Sequence, residues 1–281
     1  MTDVITFRDG SQNRMTFISG SNDVTELILV LPAMGVRASY YEEFAKELTT
    51  THREVVLIDL RGQGYSSVRA SRSVDWGYLD HVNDIHETVQ FLKSRYKAAK
   101  MYILGHSLGG QMACLFSAKY PNQINGLILI ATCSVYYKGW KGWRRFQTYF
   151  AVKVFSLINT VMGYFPGHKI GFGGKEGKTE MSDWCHNAIT GEYALSNDSF
   201  DYEKGLSECA NRIFAISIEG DNYAPYSATK NLLEKFSPAS HIEHITVKDK
   251  VRMNHFNWTK STSLFKDLIH KWIDIDRMKI N

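Results

Sequence analysis

The sequence predicts an α/β protein with a mostly parallel central sheet, helices on both faces and an inserted helical lid. Short apolar runs alternate with segments of helical periodicity along most of the 281 residues, and this alternation is typical of parallel strands connected by helices. It breaks between residues 134 and 205, where aromatic residues are dense. We therefore expect a core formed by residues 1–133 and 206–281, and a lid formed by residues 134–205.

The spacing of the apolar residues predicts the strands and helices one after another. Residues 4–8 and 14–18 predict an opening hairpin around a polar turn. The later strands are apolar runs, as expected where both faces of a strand are covered. They are predicted at residues 27–31, 54–60, 101–104, 124–131, 212–218 and 242–247. Helices are predicted at about residues 39–48, 76–97, 223–236 and 259–272, with another that begins at Gln111.

Composition and charge exclude several classes of function. The net charge of +4 is small for this length, and neither zinc-finger spacing nor a basic stripe indicates a nucleic-acid-binding protein. The N-terminus lacks the features of a signal peptide, and no run of about 18 apolar residues could span a bilayer, so we expect a cytoplasmic protein. The cysteine spacing favours buried free thiols over disulfides or zinc. We expect no metal and no cofactor, and the oligomeric state stays open.

The most informative motif is GHSLGG at residues 105–110. It joins a predicted strand to a predicted helix, which is the context in which a Gly-x-Ser-x-Gly pattern carries chemistry. A sharp turn there would display the Ser107 hydroxyl, and a side chain at Gly105 or Gly109 would collide with the neighbouring backbone. The Leu108 amide would point to where a carbonyl oxygen becomes negative. We therefore predict Ser107 as a nucleophile and the Leu108 amide as an oxyanion donor.

A serine hydroxyl is a weak nucleophile near neutral pH, so it needs a base, and the base needs a carboxylate that fixes its tautomer. In a parallel α/β sheet the acid and then the histidine are expected on loops after late strands. Asp221 follows the strand predicted at 212–218, and His255 lies on the loop after the last predicted strand. Glu219 is the rival acid, but it lies closer to the strand. We predict Ser107, Asp221 and His255 as the catalytic residues.

Two earlier loops also leave the carboxyl ends of predicted strands. A second oxyanion donor is expected from the loop after residues 27–31, and the amide of Met34 is the best candidate. The loop after residues 54–60 contains Asp59 and Arg61. We interpret both as structural residues that could pair with each other to hold the turn.

The lid is expected to determine the substrate. A helical stripe of large apolar side chains is suited to face an apolar cavity, and packing of the lid onto the core is the alternative for any one of them. The lid also contains lysines and arginines among its aromatic residues, a composition found in helices that rest on anionic membranes. The favoured interpretation is that these basic residues form a solvated face. The stripe comprises Trp143, Phe146, Phe150, Val154, Leu157 and Val161, and the predicted substrate pocket takes the first four of these together with Phe256.

Together these motifs resemble an α/β hydrolase with a cap domain. The resemblance rests on PAMG at 32–35, DLRGQGYSS at 59–67, GHSLGG at 105–110, GDNYAP at 220–225 and HFNW at 255–258. More narrowly, YYEEF at 40–44, YFPGHKIGFGG at 164–174 and DWC at 183–185 are similar to a family of predicted bacterial α/β hydrolases of undefined substrate. The resemblance implies an α/β hydrolase fold and gives Ser107, Asp221 and His255 the positions of nucleophile, acid and base. Many members have His-Gly where this chain has Pro32-Ala33, and a histidine where it has Gln63.

These observations predict a serine hydrolase that cleaves a carboxylic ester, or a thioester, of a small apolar substrate through an acyl-enzyme. A serine rather than an aspartate at position 107 disfavours dehalogenase and epoxide chemistry. An acyltransferase or a carbon–carbon bond hydrolase could use the same three residues, and the sequence does not separate these reactions. The alternative from another class is a non-catalytic small-molecule receptor on the same scaffold, which would not need the three residues.

Overall fold

One mixed sheet of eight strands, counted within the residues that the structure describes, forms the centre of the protein. The computed structural model describes residues 1–19, 23–248 and 253–278. The strands are β1 (Thr2–Thr6), β2 (Gln12–Ile18), β3 (Glu26–Leu31), β4 (Arg53–Ile58), β5 (Lys100–His106), β6 (Gly126–Ile130), β7 (Arg212–Ile218) and β8 (His241–Val247). They lie in the order β1-β2-β4-β3-β5-β6-β7-β8, and only the pairs β1–β2 and β2–β4 are antiparallel. The predicted α/β class with a mostly parallel sheet is confirmed.

The described helices follow the strands as the alternation predicts. They are α1 (Glu42–Leu48), α2 (Tyr78–Arg95), α3 (Leu108–Lys119), α4 (Trp143–Met162), α5 (Gly167–Ile170), α6 (Lys178–Thr190), α7 (Tyr202–Glu208), α8 (Tyr226–Leu233) and α9 (Thr262–Met278). α3 packs on α2 and α7 and against β5, while α1 packs on α9. Among these helices, none combines the length and the apolar character that a membrane crossing requires.

The burial of the strands shows that both faces of the sheet are covered. Every residue of β3, β4 and β6 is buried, and because successive side chains of a strand point to opposite faces, both faces must be covered. β2 instead alternates buried and partly exposed residues, as expected of an antiparallel strand with one face towards solvent. The core also contains all four cysteines as free thiols, as their spacing predicts.

The segment between β6 and β7 contains α4, α5 and α6, and α4 packs against α6. Its second half is bound to the core at the start of α2 and in the loop just before it. The Asp75 carboxylate accepts hydrogen bonds from the Thr179 amide and hydroxyl at 2.9 and 2.6 Å, and Asp183 accepts one from the Tyr78 amide at 3.0 Å. α7 crosses the predicted limit between residues 205 and 206 and contacts α3 of the core. The exact division into core and lid stays a prediction.

Asp59 and Arg61 hold the loop after β4 through separate partners. Asp59 accepts hydrogen bonds from the backbone amides of Ala38 and Tyr65 at 2.7 and 2.8 Å. The Arg61 guanidinium instead pairs with Asp84 on α2 and with Asp9 in the turn between β1 and β2, with shortest N–O distances of 2.6 Å to each. The expectation that Asp59 and Arg61 pair with each other is wrong, although both residues form hydrogen bonds that tie this loop to neighbouring segments.

Two buried carboxyl groups lie where the lid meets this loop. Glu176 accepts hydrogen bonds from the Gly174 amide at 2.6 Å and from the Gln63 side chain at 3.1 Å. Glu180 accepts one from the Trp76 indole at 2.5 Å. Burial raises the pKa of both glutamates from 4.5 to about 8, since a charge is poorly solvated there. Each carboxyl group is therefore protonated in the folded protein at a pH where it is ionised in the unfolded chain.

This difference predicts that the contribution of the two glutamates to stability falls with rising pH. The folded state binds protons that the unfolded chain has released, so the stabilisation is lost as the pH rises from about 5 towards 9. Glu180→Gln keeps an acceptor for Trp76 but cannot ionise, and we expect its free energy of unfolding to fall less over this range. Chemical denaturation at the two pH values measures the difference. Glu192→Gln, at an exposed position of the same segment, is the control and should follow the wild type; an equal fall in all three proteins would contradict the prediction.

Candidate functional site

Ser107 lies in the sharp turn between β5 and α3. Its backbone adopts φ 53° and ψ −116°, a conformation with positive φ that non-glycine residues rarely adopt. The Ser107 amide donates a hydrogen bond to the Ile130 carbonyl at 3.1 Å, and its carbonyl accepts from the amides of Gly110 and Gln111 at 3.1 and 3.2 Å. Strain of this kind persists only where the surrounding structure holds it. The turn leaves the Ser107 side chain partly exposed at the carboxyl edge of the sheet.

The glycines of the motif are needed because the backbone passes other atoms closely. A Cβ atom at Gly105 would lie 2.3 Å from the Gly110 Cα, and one at Gly109 would lie 2.3 Å from the Leu31 carbonyl oxygen. A Cβ atom at Gly110 would lie 2.0 Å from the Thr132 hydroxyl. The collisions predicted at Gly105 and Gly109 are confirmed. The absence of side chains at these glycines allows α3 to start directly against the ends of β3 and β5.

The structure brings Ser107, His255 and Asp221 together. His255 Nε2 lies 2.9 Å from Ser107 Oγ, and His255 Nδ1 lies 2.8 Å from Asp221 Oδ2. The side chains of His255 and Asp221 are both buried. Glu219, the rival acid, is half exposed and instead pairs with Lys248 at 3.0 Å. The geometry therefore favours Asp221 over Glu219 as the partner of His255.

Hydrogen bonding fixes the proton positions in this chain of three groups. Asp221 Oδ1 accepts from the amides of Tyr223 and Ala224 at 2.8 and 3.2 Å, which leaves Oδ2 for the imidazole. An ionised carboxylate only accepts hydrogen bonds, so Nδ1 of His255 carries the proton and Nε2 is free to accept one from Ser107. The rings of Tyr223 and Phe256 flank the imidazole, with centroids 5.1 and 4.9 Å away. His255 is therefore held in the tautomer and orientation that a general base for Ser107 requires.

A second buried network lies beneath this site. The Trp258 indole donates to Nε2 of His106 at 3.3 Å, so the other ring nitrogen, Nδ1, carries the proton of the neutral imidazole and donates to the Tyr41 hydroxyl at 2.7 Å. The same hydroxyl accepts the Ala33 amide at 3.1 Å. Burial lowers the pKa of His106 well below its usual value, which keeps the ring neutral. The residue before Ser107 is thus connected to the loop that contains Met34.

Met34 and Leu108 line the same cavity as Ser107 and His255. The Ala33 amide is engaged by Tyr41, whereas no hydrogen bond within the described part of the chain uses the amide of Met34 or Leu108. Leu108 is the first residue of α3, where an amide has no partner within the helix. Within the described residues these two N–H groups have no hydrogen-bond partner, which is a condition that the predicted oxyanion donors must meet.

A largely apolar cavity of about 270 Å³ contains the exposed edge of this site. The core contributes Ser107, His255 and Phe256, the last of which was predicted to line the pocket. The rest of the wall comes mainly from the lid and from the loops that flank it. These further lining residues include Cys133, Trp140, Thr148, Ala151, Val152, Phe155, Phe172 and Trp184.

The other four predicted pocket residues do not line the cavity. Trp143, Phe146 and Phe150 are 72%, 62% and 70% exposed, and Val154 is also absent from the cavity wall. That part of the prediction is wrong because α4 is apolar on two faces, and the face with smaller residues is turned inward. Thr148, Ala151, Val152 and Phe155 occupy the inner face.

Sequence reasoning also missed the aromatic wall at the far side of the cavity. Phe155, Phe172 and Trp184 pack in series, with ring centroids 4.8 Å apart for the first pair and 5.2 Å for the second. Phe172 lies in a glycine-rich loop and Trp184 lies on α6, so the three rings come from separate segments. Aromatic density was the available signal, but it does not specify which rings meet.

Comparison with known proteins adds three similarities. The model of the serine aminopeptidase S33 family, Hydrolase_4, matches residues 22–187. Human monoglyceride lipase is 31% identical over 105 residues, which span 37% of this chain and 34% of that protein. Lysophospholipase L2 of Escherichia coli K12 is 33% identical over 98 residues, which span 32% of this chain and 28% of that protein. The match thus covers about a third or less of the length of these two relatives.

The fold is similar to that of solved enzymes over nearly the whole chain. The esterase EaEST from Exiguobacterium antarcticum has a TM-score of 0.67 at 17% identity, with 98% of this chain and 100% of that chain covered. At this level of identity the likeness concerns the fold alone.

The close contact at Gly109 gives a test of the turn. Gly109→Ala is expected to lower the free energy of unfolding by about 3 kcal/mol, because the new methyl group would force the Leu31 carbonyl and α3 apart. Gly10→Ala is the matched control, since a Cβ atom there would have no other atom within 4 Å and only the φ of +83° is unfavourable; we expect about 1 kcal/mol there. Urea denaturation measures both, and equal losses would show that the contact at Gly109 is unimportant.

Proposed function

The chain belongs to the serine aminopeptidase S33 family of α/β hydrolases, and from that premise we propose that it is a serine hydrolase that cleaves a carboxylic ester, or a thioester, of a small apolar molecule. The observation that carries the proposal is the continuous hydrogen-bonded chain from Ser107 Oγ through His255 to Asp221, with distances of 2.9 and 2.8 Å. A non-catalytic receptor has no need of this arrangement. A serine oxygen within hydrogen-bond reach of an oriented imidazole is what nucleophilic catalysis requires.

In the proposed first step the Ser107 oxygen attacks the carbonyl carbon of the ester. His255 Nε2 takes the Ser107 proton, and Asp221 stabilises the resulting imidazolium. The carbonyl oxygen becomes negative and receives hydrogen bonds from the amides of Met34 and Leu108. The carbon–oxygen bond to the alcohol then breaks, and His255 returns the proton to the leaving oxygen. The alcohol departs and the acyl group remains on Ser107.

In the second step a water molecule is the nucleophile and releases the acyl group from Ser107. His255 removes a proton from the water while its oxygen attacks the acyl carbon, and the same two amides stabilise the second oxyanion. The bond to Ser107 breaks, the proton passes from His255 to the serine oxygen, and the free acid leaves. Ser107 and His255 thereby regain their starting states.

The lining of the cavity supports an apolar ester rather than a peptide substrate. An aminopeptidase must bind the positively charged amino terminus of its substrate, for which a carboxylate is the natural partner. None of the described residues that line the cavity is an aspartate or a glutamate, and its walls are mainly aromatic and aliphatic. The names of two relatives, a monoglyceride lipase and a lysophospholipase, also support an ester of an apolar acyl group.

The role of Ser107 is tested with a fluorophosphonate probe and a panel of p-nitrophenyl esters. The wild type should be labelled and should turn over at least one ester, whereas Ser107→Ala should lose labelling and at least about 10⁴-fold in kcat. Ser207→Ala, an exposed serine on α7, is the control and should behave as the wild type. Persistent labelling of Ser107→Ala would refute the nucleophile. An unlabelled wild type without turnover would favour a receptor, and turnover of amino acid p-nitroanilides alone would favour a peptidase.

The acid is tested by comparing two neighbouring carboxylates. Asp221→Asn should lower kcat by up to about 10⁴-fold, because an amide in place of the carboxylate no longer favours the productive tautomer of His255. Glu219→Gln alters only a half-exposed partner of Lys248 and should leave kcat unchanged. Steady-state turnover of the best ester, with circular dichroism to verify folding, separates the two. The opposite ranking would transfer the acid role to Glu219.

A further inference from the structure

The outward face of α4 exposes an unusual amount of apolar surface. Trp143, Phe146, Phe150, Leu157 and Val161 are between 62% and 72% exposed, and their spacing places them in one stripe along the helix. The helix has 20 residues, so the stripe is about 30 Å long at 1.5 Å per residue. Single exposed apolar residues are common, but a continuous patch of this size usually marks a surface that binds something.

The charged residues of the same region are all of one sign. Residues 134–175 contain seven lysines and arginines and neither aspartate nor glutamate. The remainder of the chain has 26 basic against 29 acidic residues, a net charge of −3. The positive charge of the protein is therefore concentrated in residues 134–175, the part of the lid that contains α4. The basic residues are Lys138, Lys141, Arg144, Arg145, Lys153, Lys169 and Lys175, and within the described residues none of them forms a salt bridge.

The positions of two of these cations relate them to the apolar stripe. At 100° per residue, Arg144 and Lys153 lie on opposite flanks of the line through Trp143, Phe150 and Val161. Both side chains are exposed. A helix with an apolar face and basic flanks is suited to lie in the plane of a membrane, with its apolar side chains among the acyl chains and its cations at the phosphates.

We propose that the outer face of α4 docks onto the surface of an anionic lipid bilayer. A second copy of the chain fits less well, because a symmetric contact would bring two positively charged faces together. The inner face of the helix contributes Thr148 and Phe155 to the cavity, so docking would place the cavity wall directly above the lipid. The docking itself does not rest on the proposed hydrolysis and is measured separately from it.

Vesicle co-sedimentation tests this proposal in a Ser107→Ala background, so that lipid hydrolysis cannot intervene. Binding to vesicles of phosphatidylcholine and phosphatidylglycerol at low salt should exceed binding to phosphatidylcholine alone by at least about 10-fold, and should weaken with added salt. Arg144→Gln/Lys153→Gln should lower the partition coefficient by about 10- to 30-fold. Phe146→Ser/Phe150→Ser should lower it by at least about 10-fold, because less apolar area enters the lipid.

Lys97→Gln/Lys230→Gln removes two exposed cations of the core and is the matched control, which should bind as the parent does. With Ser107 restored, the lid variants should hydrolyse a water-soluble p-nitrophenyl ester at the wild-type rate, which verifies that they are folded. Equal binding to neutral and anionic vesicles, or equal losses in the lid and core variants, would overturn the proposal. So would a dimer in sedimentation velocity that Phe146→Ser/Phe150→Ser dissociates, since the face would then belong to a second copy.

Discussion

The close approach of α3 to the ends of β3 and β5 is the constraint on which the site depends. It exists only because Gly105 and Gly109 have no side chain, since a single methyl group at either would lie 2.3 Å from backbone atoms. The approach forces Ser107 into its positive φ and raises its hydroxyl above the sheet. It also leaves the Leu108 amide unpaired at the start of the helix. His255 and Asp221 can then reach the hydroxyl from loops after later parallel strands, because those loops meet at the same edge.

Because the turn around Ser107 is set by residues that are adjacent in the chain, much of the site could be predicted from the sequence. The strand, glycine turn and helix around Ser107 form a local pattern, and the order of strands in the chain orders the loops that carry Asp221 and His255. Position in the chain favoured Asp221 over Glu219, which lies closer to the strand, but it left Glu219 as a rival because both follow the same strand. The structure separates them, since Glu219 lies beside Lys248 at 3.0 Å and Asp221 lies beside His255 at 2.8 Å.

Other features depend on contacts between distant segments, which a sequence pattern does not encode. Arg61 binds Asp84 and Asp9, which are 23 and 52 residues away, rather than the nearby Asp59. The helical period of α4 was predictable, but its orientation was not, because apolar residues occur on both of its faces. The rotation of this helix changes the interpretation of the lid: Trp143 and Phe150 point away from the cavity, and Phe155 on the opposite face forms part of its wall.

The inserted segment supplies about half of the residues that line the cavity, whereas Ser107 and His255 belong to the core. Thr148, Phe155 and Trp184 come from the inserted segment, whereas Ser107 and His255 are held by the sheet and its loops. Replacing a ring in the insertion would therefore change the shape of the cavity and leave the contacts among Ser107, His255 and Asp221 in place. The breadth of molecules that the cavity admits can thus diverge between related chains through exchanges in one contiguous stretch, while the turn around Ser107 stays the same.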